Sequence, residues 1–489
     1  MRIAMISSEC EPYAKTGGLA DVVDALARAL GQQGHPVDVY LPRYRGLELP
    51  DGAREASLRV PTGSDGSSTT VTIMTAPGDG YRLRLIGHPA SFDRPAYYGG
   101  PDGDYPDNGA RFALLGRAAL EQIRADGEPV DVIHGHDWQS GPALLLLHHA
   151  YRSDPVLGRA ASMLTCHNLA YHGWVPRAHA AALGLPSAVG KDDGVDLLRE
   201  AIAIADIVNT VSPTYAEESK TDQFGAGLDD VLSARGDTYI GIINGIDSQL
   251  WDPATDVALP AAYSIEDVSG KSACKTALME RLKLIGASPG EGWDARGAPL
   301  FGLIGRLDPQ KGFDLLAGAA GDLLSMGVRI AVLGSGDHRL IEGLQAQALG
   351  REDRLSVTER FDRHLARQIY AGVDVFLMPS RFEPCGQGQM IALRYGSIPL
   401  VRSTGGLADT IMDEDEDPVR GNGFTFLSAT PAALVEAAER TLAAYRDQDR
   451  WDALQRRGMA EDFSWAAPAR QYVAAYERAR SMPRTSPVS

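Results

Sequence analysis

The chain has 489 residues, with 64 acidic against 47 basic side chains and a net charge of −17, a length that suits two or three domains, each with its own core. No strongly basic run interrupts the acidic excess, which argues against nucleic acid and anionic membrane surfaces as main partners and requires any anionic ligand to meet a local cluster of cations. Four cysteines, Cys10, Cys166, Cys274 and Cys385, lie without C-x-x-C spacing, a pattern that suits a reducing compartment, the cytoplasm, rather than a disulfide framework or a zinc site.

The sequence opens on a strand pattern, Arg2–Ser8, with no basic leader, so no signal peptide is expected. The hexapeptide Thr-Gly-Gly-Leu-Ala-Asp follows at Thr16–Asp21, ahead of a helix whose apolar positions Leu19, Val22, Val23, Leu26 and Leu30 recur at helical spacing. Pro36–Leu41 reads as a second buried strand, Pro61–Thr70 as an exposed hairpin loop rich in Ser, Thr and Gly. Tyr97–Asn108 is aromatic, Gly-rich and acidic, a composition shared by substrate-contacting loops and ordinary surface loops. Strands Val130–His134 and Ala160–Cys166 run into His134-Gly-His-Asp-Trp138 and His167-Asn168. The apolar stretch Ala143–Leu147 between them is too short to cross a bilayer. After Thr238–Asn244 the pattern restarts, placing a domain boundary near residues 245–260. Leu300–Gly305, Arg329–Leu333, Arg354–Thr358, Val373–Met378 and Ser397–Val401 form the second strand set, and the hexapeptide returns at Thr404–Asp409 before what reads as another amphipathic helix. Asp413–Asp417 reads as an acidic surface loop and Ser481–Ser489 as a frayed tail.

Short apolar strands alternating with helices imply parallel sheets covered by helices, with ligands beyond the carboxyl ends of the strands. A strand, paired glycines and then a helix let backbone approach an anion while unpaired N–H groups and the helix dipole face it. Neither hexapeptide completes a dinucleotide fingerprint or a P-loop. Arg306 and Lys311 flank one strand-to-helix loop and can bring two positive charges against a diphosphate without a metal. Glu383, directly after a buried strand, can accept hydrogen bonds from sugar hydroxyls or stabilise a developing cationic carbon; a loop acid capping a helix is the plainer alternative. His134, His136 and Asp137 lack a further ligand at metal-binding spacing.

Lys15-Thr-Gly-Gly-Leu-Ala-Asp-Val22, His134-Gly-His-Asp-Trp138, Thr165-Cys-His-Asn-Leu-Ala-Tyr171, Asn244-Gly-Ile-Asp247, Gly305-Arg-Leu-Asp-Pro-Gln-Lys-Gly312, Ser380-Arg-Phe-Glu-Pro-Cys-Gly386 and Thr404-Gly-Gly-Leu407 together resemble the ordered motif set of bacterial glycogen synthases and plant starch synthases, and the likeness runs on to Asp462-Phe-Ser-Trp465. The resemblance implies an α/β fold of the GT-B type, two Rossmann-like doubly wound domains facing across a deep cleft. Residues 1–250 would form the acceptor side, 251–460 the nucleotide-sugar side and 461–480 a helix returning to the first domain, with 481–489 a flexible tail. It implies transfer of glucose from ADP-glucose to the non-reducing end of an α-1,4-glucan such as glycogen, with retention at the anomeric carbon and with no metal or other cofactor. Lys15 and the backbone at Gly17 and Gly18 would meet the donor's phosphate side, with Asp21 beside them. Asp137, His167 and Asn168 would line the glucosyl site, and Asn244 would sit near the nucleotide at the hinge. Arg306 and Lys311 would neutralise the departing diphosphate. Glu383 and the loop Thr404, Gly405, Gly406 and Leu407 would hold the glucose ring and distal phosphate.

Two departures from the family pattern bear on donor choice. Phe361 stands where related enzymes place a tyrosine against the base, which keeps a stacking face and loses a hydroxyl. After Cys385-Gly386 this chain has Gln387-Gly388-Gln389 where Leu-Thr-Gln is frequent. Retention normally invokes a carboxylate nucleophile; none is clearly placed in this family, so same-face substitution is the favoured expectation. The rival readings are a UDP-glucose-dependent synthase, a glucan phosphorylase of the same fold carrying a lysine-bound pyridoxal phosphate, and a non-catalytic sugar-nucleotide sensor.

Overall fold

The computed structural model describes residues 1–62, 66–100, 103–180, 183–185, 189–191, 193–285, 293 and 297–483. The chain divides into two compact units, Met1–Asn244 with Trp465–Ser489, and Gly245–Ser464. In the first unit the strands are β1 (Ile3–Ile6), β2 (Val37–Pro42), β3 (Arg54–Pro61), β4 (Ser68–Pro77), β5 (Arg82–Gly87), β6 (Gly99–Gly100), β7 (Gly103–Asp104), β8 (Val132–His136), β9 (Ala161–Cys166), β10 (Trp174–Pro176), β11 (Gly194–Asp196), β12 (Ile207–Thr210) and β13 (Tyr239–Gly241). Nine of them form one sheet in the order β13-β12-β9-β8-β1-β2-β5-β4-β3, parallel except that β4 runs antiparallel to both β3 and β5. The residues of β1, β2, β8, β9 and β12 are all buried, as expected where helices cover both faces of a parallel sheet.

In the second unit β14 (Leu300–Leu307), β15 (Arg329–Gly336), β16 (Leu355–Glu359), β17 (Val375–Met378), β18 (Ile398–Arg402) and β19 (Phe424–Phe426) make a parallel sheet in the order β16-β15-β14-β17-β18-β19. Each sheet reverses its strand order beside a first, central strand, between β1 and β8 and between β14 and β17. In such sheets the crevice for a ligand opens at the carboxyl ends of those strands.

The helix Ala466–Ser481 packs into the first unit and buries Ala469, Tyr472, Ala475, Tyr476 and Ala479. Tyr472 OH accepts from Asn209 Nδ2 at 3.1 Å and Tyr476 OH lies 2.8 Å from His134 Nδ1, so this late segment closes over β8 and β12. Among the described residues no helix is long and apolar enough to cross a membrane.

Several local expectations change. The strand expected to end at His134 continues to His136, and a helix starts at Asp137, so His134 and His136 are strand residues rather than part of a loop. The second hexapeptide leads into a helix of only 6 residues, Gly405–Thr410, too short for an amphipathic stripe. Asp413–Asp417 is no mere acidic surface loop. Asp413 and Glu414 are buried, with Arg440 on Asp413 and Asp415 and Arg450 on Glu414 and Asp415. The hairpin in Pro61–Thr70 pairs Pro61 with Ser68; residues 63–65 within it, 101–102 within Tyr97–Asn108 and 484–489 of the tail lie outside the described residues.

Candidate functional site

At the end of β1 the chain turns through Ser7 and Ser8 to Glu9, a residue only 3% exposed. Its carboxylate accepts from the backbone N–H groups of Thr16 (2.6 Å) and Gly17 (3.2 Å), from Thr16 Oγ1 (2.6 Å) and from Tyr98 OH (2.6 Å). The first Gly-Gly loop therefore holds a carboxylate of its own chain, and charge-assisted bonds of this kind are the strong ones. Gly17 and Gly18 have open space on their Cβ side, with no atom of the described residues within 4 Å. Lys15 Nζ sits 2.5 Å from Asp21 Oδ1 and 3.4 Å from Glu11 Oε2.

Asp137 heads its helix with φ +54°, a left-handed conformation that costs on the order of 1–3 kcal/mol for a residue with a side chain. Its Oδ1 accepts from the N–H of His167 at 2.6 Å and of Asn168 at 3.3 Å, so the carboxylate ties the end of β8 to the end of β9. Burial pushes the Asp137 carboxyl up to about 7, against the pull of those two N–H groups. His167 Nε2 lies 3.1 Å from His136 Nδ1, and His134 Nε2 lies 2.7 Å from Thr165 Oγ1. Desolvation pushes His134 and His167 down to about 3 and His136 down as well, so all three imidazoles are neutral at physiological pH. The His134 and His136 rings pack 4.2 Å apart, and His136 and Asp137 both meet His167, yet among the described residues no group of three or more His, Cys, Asp or Glu converges as a metal site. Asn168 is exposed and its Oδ1 accepts from Ala170 N–H at 2.9 Å. Asn244 is buried, and its Oδ1 has no hydrogen-bond partner among the described residues.

In the second unit Arg306 stands at the end of β14, largely exposed, with Nε 2.6 Å from Asp308 Oδ2. Asp308 Oδ1 also accepts from Lys311 N–H at 3.1 Å, capping the short turn Pro309–Lys311. Gly312 follows at φ +71°, where a Cβ would stand 2.1 Å from the Pro379 carbonyl oxygen, so only glycine lets this turn lie against the end of β17. That approach brings Lys311 Nζ to 2.6 Å from Glu383 Oε2. Ser380 Oγ donates to the same oxygen at 3.0 Å, and Glu383 is 5% exposed. Backbone contacts pin the loop: Gln310 Nε2 donates to the Phe382 carbonyl at 3.2 Å and Gly406 N–H to the Glu383 carbonyl at 3.0 Å.

The second Gly-Gly differs physically from the first. A Cβ on Gly405 would stand 2.1 Å from the Glu383 carbonyl oxygen and one on Gly406 2.0 Å from that of Cys385. These glycines serve close packing against the Glu383 loop, with Thr404 and Leu407 buried beside them. Gln389 braces that loop from below, its Nε2 donating to the carbonyls of Cys385 and Gly386 and to Thr410 Oγ1. Phe361 is 82% exposed.

The structure thus gathers Glu383, Lys311, Arg306 and the Gly405–Gly406 loop at one switch point and Asp137 with His167 at the other, while Lys15, in the loop after β1, is drawn onto Asp21 and Glu11. Sequence reasoning passed over Glu9, Asp308 and Ser380. Glu9 carried a signal: an acid one residue past a strand end and seven before Thr16.

Two family models match the chain, one described as the starch synthase catalytic domain over residues 2–234 and one as glycosyl transferases group 1 over residues 294–457. A glycogen synthase of Anaeromyxobacter dehalogenans (strain 2CP-C) is 43% identical over 97% of this chain and 99% of its own, and one of Syntrophotalea carbinolica 40% identical over 98% and 99%. The chain belongs to the glycogen and starch synthase family. The solved catalytic domain of starch synthase IV from Arabidopsis thaliana, bound to ADP and acarbose, superposes with a TM-score of 0.86 at 35% identity over 98% of this chain and 99% of that one. A sucrose-phosphate synthase of Thermosynechococcus elongatus, 20% identical with a TM-score of 0.59, shares the fold. As a member of the glycogen and starch synthase family the chain is a hexosyltransferase of the GT-B class, with two Rossmann-like units.

Proposed function

We propose that this chain elongates an α-1,4-glucan such as glycogen by transferring glucose from ADP-glucose to the non-reducing end, with retention. The observation that carries the reading is the pair of cations at the β14 switch point, Arg306 held by Asp308 of its own loop and Lys311 held by Glu383 of the loop after β17. A diphosphate entering there competes for both cations, and as the bond from the anomeric carbon to its phosphate oxygen breaks, the growing charge meets preorganised donors. The acceptor's 4-hydroxyl oxygen bonds to that carbon on the same face and its proton passes to the departing phosphate oxygen. Asp137 is a poor nucleophile in this scheme: one of its oxygens is engaged by two N–H groups and burial favours its protonated form.

The first unit supplies the acceptor side, with His167, Asn168 and Asp137 at the glucosyl group, and Lys15, Gly17, Gly18 and Asp21 near the donor's phosphates. The second unit supplies the nucleotide side through Arg306, Lys311, Glu383, Phe361 and the Thr404–Leu407 loop, with Asn244 near the nucleotide. ADP as the nucleotide is supported by the ADP in the Arabidopsis structure. UDP-glucose is the second reading, kept because Phe361 offers a stacking face without a hydroxyl to distinguish the bases. The four cysteines are buried and none is in a disulfide, which supports the cytoplasm as the working compartment. The test is to incubate purified protein with glycogen and labelled ADP-glucose or UDP-glucose, with chelator present, and measure chain extension. Extension from ADP-glucose alone is expected; faster extension from UDP-glucose would reassign the donor, and none from either would remove the proposal.

A further inference from the structure

Among the described residues only three aromatic side chains are exposed, Tyr171, Trp174 and Phe361. Two of the three, at 61% and 51% exposure, lie within four residues of each other on the first unit, directly after His167-Asn168. Large aromatic rings are ordinarily buried, and an exposed cluster marks a contact surface.

This segment is built to hold the Trp174 ring still. Trp174 belongs to the two-stranded antiparallel sheet of β10 and β11, paired in register with Asp196. The indole rests against a glycine: a Cβ on Gly194 would stand 2.6 Å from Trp174 Cζ2 and 2.9 Å from Cε2. Gly173, at φ +69°, lies over Trp138, where a Cβ would meet Cε3 at 2.1 Å. His172 Nδ1 sits 2.7 Å from Asp196 Oδ2, and its carbonyl accepts from Leu198 N–H at 3.0 Å. Asp196 in turn caps the helix Leu197–Ile204 by accepting from Arg199 N–H. A flat ring backed by a glycine and fixed by its neighbours loses little freedom when a second flat surface covers it.

We propose that Tyr171 and Trp174 form a stacking platform for the apolar faces of pyranose rings, carrying the part of an α-glucan that extends beyond the reacting residue. The inference rests on the glucan-acceptor reading above. The platform makes no contribution to bond breaking; it sets affinity for long acceptors.

The test compares Trp174→Ala, Tyr171→Ala and Trp174→Phe with the wild type, using maltose, maltoheptaose and glycogen as acceptors, together with retardation of each protein in native gels containing glycogen. Loss of one stacked ring is expected to raise KM for maltoheptaose and glycogen by about three- to tenfold. Donor KM and maximal turnover should stay near wild type, gel retardation should fall, and Trp174→Phe should recover most of both. Unchanged acceptor KM and retardation in both alanine variants would overturn the platform while leaving the transfer reading intact. A turnover loss shared by all acceptors and not rescued by phenylalanine would also overturn it. A wild type that is retarded by glycogen through Trp174 yet extends no chain would support the platform and sink the transfer reading.

Discussion

Lys311 and Glu383 neutralise each other at 2.6 Å, and the proposed chemistry asks Lys311 to leave that partner for a phosphate. Lys311→Ala should therefore lower turnover by about 10²–10³, the usual cost of one preorganised electrostatic donor, while KM for glycogen stays near wild type. Steady-state kinetics with varied acceptor check this, and equal losses in both parameters would mark Lys311 as a structural cation. Asp137 allows a prediction about pH. Its folded-state value of about 7 exceeds the ordinary 3.8, so between those values the folded protein holds a proton that the unfolded chain has released. Stability from this group therefore declines as pH rises through that window. Asn at 137 keeps an oxygen for the N–H groups of His167 and Asn168 and never ionises. The melting temperature of Asp137→Asn relative to wild type should climb between about pH 5 and about pH 8; a flat difference would contradict the buried-acid account.

At the level of elements, one hexapeptide does two jobs. At Gly405 the backbone has φ +47° and a neighbouring carbonyl crowds the Cβ position; at Gly17 no described residue lies within 4 Å of that position. Gly405→Ala should destabilise the fold by roughly 2 kcal/mol or more, whereas Gly17→Ala should melt like wild type and lose activity because the methyl enters the open side of the loop. Paired denaturation and activity measurements decide this, and similar melting losses in both would erase the distinction. The sequence made the two loops look alike because strand, glycine pair and helix onset are local properties. What separates them is nonlocal: the Glu383–Cys385 backbone crowds one loop, and no described residue crowds the Cβ side of Gly17 or Gly18 in the other. Glu9 escaped notice for the same reason, since its role depends on Thr16, Gly17 and Tyr98 converging on one carboxylate. Arg306, Lys311 and Glu383 were legible because a charge straight after an apolar strand is placed by the sheet itself.

For the molecule as a whole, most of the parallel strands were readable as short apolar runs, from Ile3–Ile6 to Ile398–Arg402, whereas β5, β12 and β19 were not read. The antiparallel pair β3 and β4 was not, because the residues of β3 are mostly exposed and carry no buried-strand signature. The last helix supplies Tyr472 and Tyr476 to the first unit, two fully enclosed rings worth roughly 1.5–3 kcal/mol each by burial. A chain ending at Ser464 should therefore lose amide-exchange protection across β8, β9 and β12 while β14, β15 and β17 keep theirs; equal loss in both sheets would mean that the two units do not unfold independently. During synthesis the same arrangement imposes a schedule. His134 and its partner Tyr476 are 342 residues apart, so at ribosomal speeds the first sheet stays uncovered for about 20–70 s, long enough for the intervening unit to emerge and fold. The half of the enzyme that begins first is completed last, and a nascent-chain chaperone would find its customer there.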